Sequence, residues 1–286
     1  MPSEHDVVQV TDPCARHGEG PVWHPEWPGL RWVDMLAGDV LTLEPTGQVH
    51  RAHVGSVVAA LRPRRGGGAV LALERGFALG DAGLTEIRAL GDLWSDPAVR
   101  MNEGGCDPEG RFYCGSMSYT AEPGRGGLYR LDTDGTVSTV FDGVTISNGL
   151  AWSPDGTSAY YVDTPTQRVD VFDHVDGTLR RRRPLVRIEP ELGAPDGLTV
   201  DAEGHLWVAL WGGGAVHRYS PEGRLVDRIG VPASQVTACT FGGPGLTDLF
   251  ITTSRVEADL RRHPLSGALF RVPDAGMGMP VREYDG

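Results

Sequence analysis

Asp107-Pro-Glu-Gly110 followed by Arg111-Phe-Tyr-Cys114 is a polar turn running directly into a short apolar strand. The same pair of features recurs as Ser153-Pro-Asp-Gly156 before Ala159-Tyr-Tyr-Val162 and as Asp201-Ala-Glu-Gly204 before His205-Leu-Trp-Val208. Weaker copies lie upstream, with His24 to Gly29 before Leu30-Arg-Trp-Val33 and Pro63 to Gly67 before Ala69-Val-Leu-Ala72. Another lies downstream, with Gly242 to Gly245 before Asp248-Leu-Phe-Ile251. The turn glycines Gly29, Gly67, Gly110, Gly156, Gly204 and Gly245 are 38, 43, 46, 48 and 41 residues apart. Repeats of that length, each with room for about four strands, are the signature of a propeller. Segments inside the copies fit this count, such as Gly127-Leu-Tyr-Arg-Leu131 before Asp132-Thr-Asp-Gly135. The sequence therefore predicts an all-β, six-bladed β-propeller. Helical periodicity is weak throughout, and the segment near Ala82 to Leu93 is the least clear. Asp6-Val-Val-Gln-Val10 precedes the first full copy and reads as a strand. It is expected to pair with the last blade near Gly267 to Val272 and close the ring, since closure protects sheet edges.

Composition sets the remaining bounds. A chain of 286 residues with 40% hydrophobic and 22% charged residues is ordinary for a globular protein, and residues 1–286 are expected to form one domain. A formal net charge of −12 argues against nucleic acid as a partner, because such binders need a basic footprint. The one basic cluster, Arg180 to Arg183, reads as a solvated turn between strands. Met1 to Val10 carries acidic and polar residues where a secretion signal would be basic and then apolar. No run of about 18 apolar residues occurs, so no membrane partner and a cytoplasmic location are expected. Cys14, Cys106, Cys114 and Cys239 have no CxxC spacing and read as reduced, mostly buried side chains.

The repeat also aligns candidate ligands. Four positions before the apolar residue that opens each turn stand Glu19 (before Trp23), Asn102 (before Cys106), Asn148 (before Trp152) and Asp196 (before Val200). The other two copies place Val57 before Leu61 and Thr237 before Phe241. In a propeller one register means one height and one radius, so the four oxygen-bearing side chains should point at a common point on the axis. Carboxylate and amide oxygens are hard donors suited to one divalent ion such as Ca²⁺, Mg²⁺ or Mn²⁺, with Zn²⁺ left open. Two carboxylates there would repel one another unless a cation neutralised them. The competing reading is that Glu19-Gly20, Asn148-Gly149 and Asp196-Gly197 are turn dipeptides. Glu is a poor turn former, and Asn102 is followed by Glu103, so that reading accounts less well for the set.

With these residues in place, the sequence resembles the regucalcin and gluconolactonase family of metal-dependent sugar-lactone hydrolases. The carrying segments are Gly18-Glu-Gly-Pro-Val-Trp23, Arg100-Met-Asn-Glu-Gly104 with Gly115-Ser-Met117, Ile146-Ser-Asn-Gly-Leu150, Pro195-Asp-Gly-Leu198 and Asp201-Ala-Glu-Gly-His-Leu-Trp-Val208. The resemblance implies the six-bladed fold, metal ligation by Glu19, Asn148 and Asp196, and substrate contact by Arg100 and Asn102. It also exposes a departure. Vertebrate regucalcins place a substrate-contacting glutamate where this chain has Thr120, and Glu122 is the nearest acidic substitute.

A lactonase of this kind would use the metal as a Lewis acid on the carbonyl oxygen and to acidify water. Asp196 is the candidate general base, and Arg100 would stabilise the negative oxygen or hold a substrate hydroxyl. The alternative for Arg100 is a surface ion pair with Glu103. His17 is either a proton shuttle beside Glu19 or an ordinary hydrogen-bonded histidine. Trp23, Trp152, Trp207 and Trp211 read as blade core, with Trp211 the least clear because Gly212 to Gly214 follow it. No Gly-x-Ser-x-Gly elbow is present, and Gly115-Ser-Met-Ser118 reads as strand. The expected substrate is a small molecule, an aldonolactone such as gluconolactone, acted on by a monomer or weak dimer. The same cage on another ester, phosphoester or biosynthetic lactone, or a noncatalytic calcium-binding propeller, are the rival functions.

Overall fold

The computed structural model describes residues 5–286. Polar turns of the Asp107-Pro-Glu-Gly110 kind explain why the strands start where they do. Asp107 Oδ1 accepts hydrogen bonds from the N–H groups of Glu109 and Arg111, at 3.0 and 2.9 Å, and the Gly110 N–H donates to Asp107 O at 3.1 Å. Gly110 closes the turn at φ +75°, a conformation that favours glycine. Asp201 and Gly204 repeat the arrangement, and Ser153 with Gly156 close a variant of it. Each turn reverses the chain into an antiparallel partner, so the copies become hairpins and then sheets.

Among the described residues there are six antiparallel sheets of four strands. Five are consecutive in the chain, over residues 18–53, 58–92, 99–144, 147–187 and 194–230. The sixth joins three late strands to Val8–Gln9, which pairs antiparallel with the last strand through Val8 opposite Arg271 and Gln9 opposite Phe270. The six-bladed ring and its closure are thus as the repeat predicts, although the closing strand is shorter than Asp6 to Val10. The ambiguous Ala82 to Leu93 region forms an outer strand, Ile87–Asp92. Arg180 to Arg183 departs from expectation. It lies within the outer strand Thr178–Arg187, where Arg182 pairs with Asp170 at 2.6 Å and Arg181 and Arg183 each pair with Asp173 at 2.7 Å.

The first strand of each blade lines the axis: Gly18–Val22, Val58–Pro63, Val99–Cys106, Ser147–Trp152, Ala194–Val200 and Val236–Gly242. All six carry one extra residue relative to their pairing partners, at or within two residues of the aligned register position. The breaks fall between Glu19 and Val22, Val58 and Ala60, Met101 and Gly104, Ser147 and Leu150, Pro195 and Leu198, and Val236 and Ala238. A bulge frees a residue from the ladder and re-aims its side chain. Here the freed positions hold or adjoin the aligned candidate ligands.

The glycines that follow those residues are packing devices. A Cβ on Gly149 would lie 2.7 Å from Asp196 O, and one on Gly197 would lie 2.5 Å from Ala238 Cβ and 2.8 Å from Thr237 O. Asn148-Gly149 and Asp196-Gly197 are therefore inside strands, where neighbouring inner strands approach too closely for any side chain. Gly197→Ala should destabilise the protein by about 1–3 kcal/mol through overpacking. Gly230→Ala meets nothing within 4 Å and should stay within about 0.5 kcal/mol of wild type. Urea unfolding of the two variants checks this, and equal midpoints would contradict the crowding.

Candidate metal and substrate site

Every site residue predicted from the sequence lies at one cavity of about 450 Å³ on the propeller axis. It is lined by Glu19, Arg100, Asn102, Thr120, Asn148 and Asp196, together with His17, Tyr119 and Trp211. Glu19, Asn102, Asn148 and Asp196 are buried to between 4% and 5% exposure, whereas Thr120 stands exposed at the rim. Thr237, one of the other two positions in the register, hydrogen-bonds instead to Gly18 O at 2.6 Å, tying the last blade to the first.

Within the aligned set the two asparagines differ. Asn148 donates its amide N–H to Thr164 Oγ1 at 3.0 Å, while its Oδ1 is buried and has no hydrogen-bond partner. Asp196 Oδ1 is likewise buried and unpartnered. Orphaned buried oxygens are uncommon and costly, and two beside the Glu19 carboxylate suit a hard cation. Asn102 is fully engaged: it donates to Ser147 O at 2.8 Å and accepts from Arg100 Nη1 at 2.6 Å.

Arg100 is buried rather than in a surface ion pair with Glu103. Its Nη1 also donates to Met101 O at 2.9 Å, and its Cζ stands 5.7 Å from the Tyr119 ring centre. Burial pushes its pKa down, against which the Glu19 and Asp196 charges act. Glu103 occupies the other side of the bulge, facing the lower channel with Arg62. Burial moves its pKa up to about 7.

His17 is a buried member of the site. Its Nδ1 and Ser254 Oγ lie 2.8 Å apart, and its Nε2 is 3.9 Å from Glu19 Oε1. Burial, with Arg100 and Arg16 nearby, lowers its pKa to about 3, so it is neutral at ordinary pH. Trp211 meets the His17 ring edge-on at 5.8 Å and forms cavity wall, unlike Trp152 and Trp207, which are core. Glu122 does not supply the acid missing at position 120, because it faces Arg125 at 3.4 Å on the surface.

Tyr119, Thr164 and Glu257 line the cavity without being marked by the register, and Glu103 lies on the far side of the bulge. Glu103 was legible as the residue beside Asn102 that a bulge would turn the opposite way. Tyr119 and Thr164 sit on connecting segments, where no repeat marks a place. Two other acidic groups, Asp107 with Glu109 and His174, and Asp201 with Glu203 and His205, lie at blade turns. Arg111 and Arg218 already supply cations there, at 2.6 Å from Asp107 and 3.1 Å from Asp201.

The chain matches the SMP-30/Gluconolactonase/LRE-like region over residues 17–255. It is 37% identical to a pentonolactonase of Haloferax volcanii across 98% of each chain, and 36% identical to the regucalcin of Danio rerio across 94% of this chain and 95% of that one. A solved calcium-binding regucalcin from Agrobacterium tumefaciens superposes with a TM-score of 0.92 at 29% identity, covering 99% of this chain and 97% of that one.

Electrostatics of the cage lead to a stability test. Burial, then neighbouring carboxylates, raise the pKa of Glu19 above its ordinary 4.5 and that of Asp196 above 3.8. The folded state thus holds these protons more tightly than the unfolded chain. Their stabilising contribution is complete below the ordinary values and is lost as pH rises through the raised ones. In chelator, the Tm of Asp196→Asn relative to wild type should therefore increase as pH is raised from about 4 to about 8, since the variant carries one charge fewer. Thermal melts across that range check this, and a difference constant with pH would contradict it.

Proposed function

The chain belongs to the SMP-30/gluconolactonase/LRE-like family, and from that premise we propose that it is a metal-dependent lactonase that opens a sugar lactone to the aldonic acid. The observation that carries the reading is the pair of orphaned oxygens, Asn148 Oδ1 and Asp196 Oδ1, in one cavity with Glu19 and a buried Arg100. A calcium-storing propeller has no use for a buried guanidinium beside its cage. The relatives named as pentonolactonase and as sugar lactone lactonase support a lactone as substrate class.

Glu19, Asn148 and Asp196 would hold the ion, and their hard oxygens suit Ca²⁺, Mg²⁺ or Mn²⁺ better than a soft metal. When bound, a divalent ion supplies Lewis-acid polarisation of the lactone carbonyl and lowers the pKa of water. Asp196 would serve as ligand and proton acceptor together, since its side chain lines the cavity with Glu19 and Asn148. Arg100 offers its guanidinium to the oxygen that gains negative charge as the ring opens. Asn102 holds Arg100 in place through the 2.6 Å bond and shares its position beside the substrate. His17, neutral and tied to Ser254, fixes the wall next to Glu19 without carrying charge.

Thr120 brings a hydroxyl to the rim, so a substrate hydroxyl there meets a neutral partner. Among the described residues no helix is long and apolar enough to cross a membrane, in keeping with a proposed cytoplasmic enzyme acting on a small soluble molecule.

Aldonolactones, a phosphotriester and an aryl ester, each assayed with Ca²⁺, Mg²⁺, Mn²⁺ and Zn²⁺ and with chelator, test the function. Chelator-sensitive turnover of an aldonolactone is expected, and its absence for every lactone would sink the reading. Preference for the phosphotriester or aryl ester would reassign the same cage. Asp196→Asn should lower kcat by about 10²–10⁴-fold, the range for losing a general base, and should weaken metal binding far less. Equal losses of turnover and metal affinity would remove the base role.

A further inference from the structure

One side chain in the cavity wall has no part in the cage and is nevertheless fixed at both ends. Tyr119 follows the strand Phe112–Ser118 and is 44% exposed. Its backbone N–H donates to Ala98 O at 2.9 Å, and its hydroxyl donates to Glu74 Oε1 at 2.6 Å. Glu74 is held in turn: Ser56 donates to its Oε2 at 3.0 Å, and the Met101 N–H donates to its carbonyl at 2.8 Å. The hydroxyl of Tyr119 is foremost in keeping the Glu74 carboxyl below its ordinary range, so the acceptor stays ionised. Single exposed aromatics are common on protein surfaces and need no explanation. A ring tethered from a neighbouring blade, lining the cavity 5.7 Å from the guanidinium of Arg100, is a different case.

We propose that Tyr119 is the platform on which the substrate ring rests, and that Glu74 is the positioning residue that locks it. The proposal rests on the lactonase reading and narrows its substrate to a cyclic one with an apolar C–H face. The lactone of a sugar presents such a face alongside its hydroxyls, and an aromatic surface covers it while Arg100 and Asn102 take the polar edge. Locking the ring before binding spares the loss of side-chain freedom on association. It also gives the rim a recognition element beside Thr120. An open-chain ester has no comparable face and gains nothing from the platform.

Wild type, Tyr119→Ala, Tyr119→Phe, Glu74→Gln and the Tyr119→Phe/Glu74→Gln pair are assayed with gluconolactone and with an open-chain ester. For Tyr119→Ala the KM for gluconolactone should rise about tenfold, equivalent to about 1.4 kcal/mol, with kcat within about threefold and no change in KM for the ester. Tyr119→Phe and Glu74→Gln should each raise the lactone KM by about threefold, and the double variant should do no worse than either, since both break one tether. Metal affinity, titrated calorimetrically with Mn²⁺, should be unchanged in all. A lactone KM within about twofold of wild type in Tyr119→Ala overturns the platform, and additive losses in the double variant overturn the tether. If wild type opens no lactone, the lactonase reading fails separately. Saturation-transfer NMR with 1,5-anhydroglucitol, a ring that cannot be opened by hydrolysis, then decides the platform: a signal lost in Tyr119→Ala supports it, and an equal or absent signal in wild type and variant overturns it.

Discussion

Six strand backbones converge on one axis, and the space left between them governs the rest of the molecule. Asn148-Gly149 and Asp196-Gly197 show the constraint most directly. The neighbouring strand stands so close that a Cβ on either glycine would meet backbone or side-chain atoms of Asp196, Thr237 or Ala238 within 2.5–2.8 Å. With no side chain on the glycine, the residue before it can lie free of the ladder. At Asn148 and Asp196 the one-residue bulge frees that residue from the ladder, and its side chain lines the axial cavity. Close packing and site assembly are thus consequences of the same local geometry.

Convergence concentrates charge. Glu19 and Asp196 are buried side chains that share one cavity, with Glu103 on the far side of the bulge; Asp196 and Glu103 raise the cost of ionising Glu19, and Glu103 that of ionising Asp196. Buried carboxylates of this kind must be protonated, paired or bound to a cation. Arg100 contributes one positive charge but spends its hydrogen bonds on Asn102 and Met101, not on the carboxylates. The unpartnered oxygens of Asn148 and Asp196 are what remain, and their chemistry suits a hard cation.

Much of this was legible in the chain. The turn-and-strand repeat is plainest in three copies, where Asp107, Ser153 and Asp201 satisfy backbone N–H groups of the turn, and the glycine spacing carries the count to six. The register of Glu19, Asn102, Asn148 and Asp196 was legible for the same reason: a repeat converts position in sequence into height on an axis. The Arg180 to Arg183 cluster was misread because its partners, Asp170 and Asp173, are across a strand pair and carry no local signal. Trp211 is set apart from the core tryptophans by the glycines that follow it, Gly212 to Gly214, and it lines the cavity.

Sequence alone determined the number of blades, the closure of the ring and which oxygen-bearing residues share one level, because all three follow from periodicity and turn chemistry. Only the tertiary structure decided that the paired glycines are contact points and not turns, and that Asn148 keeps a free oxygen while Asn102 is bound to Arg100. It also decided that Tyr119 reaches Glu74 across a blade boundary. These depend on distances between segments far apart in the chain, and no local pattern records them.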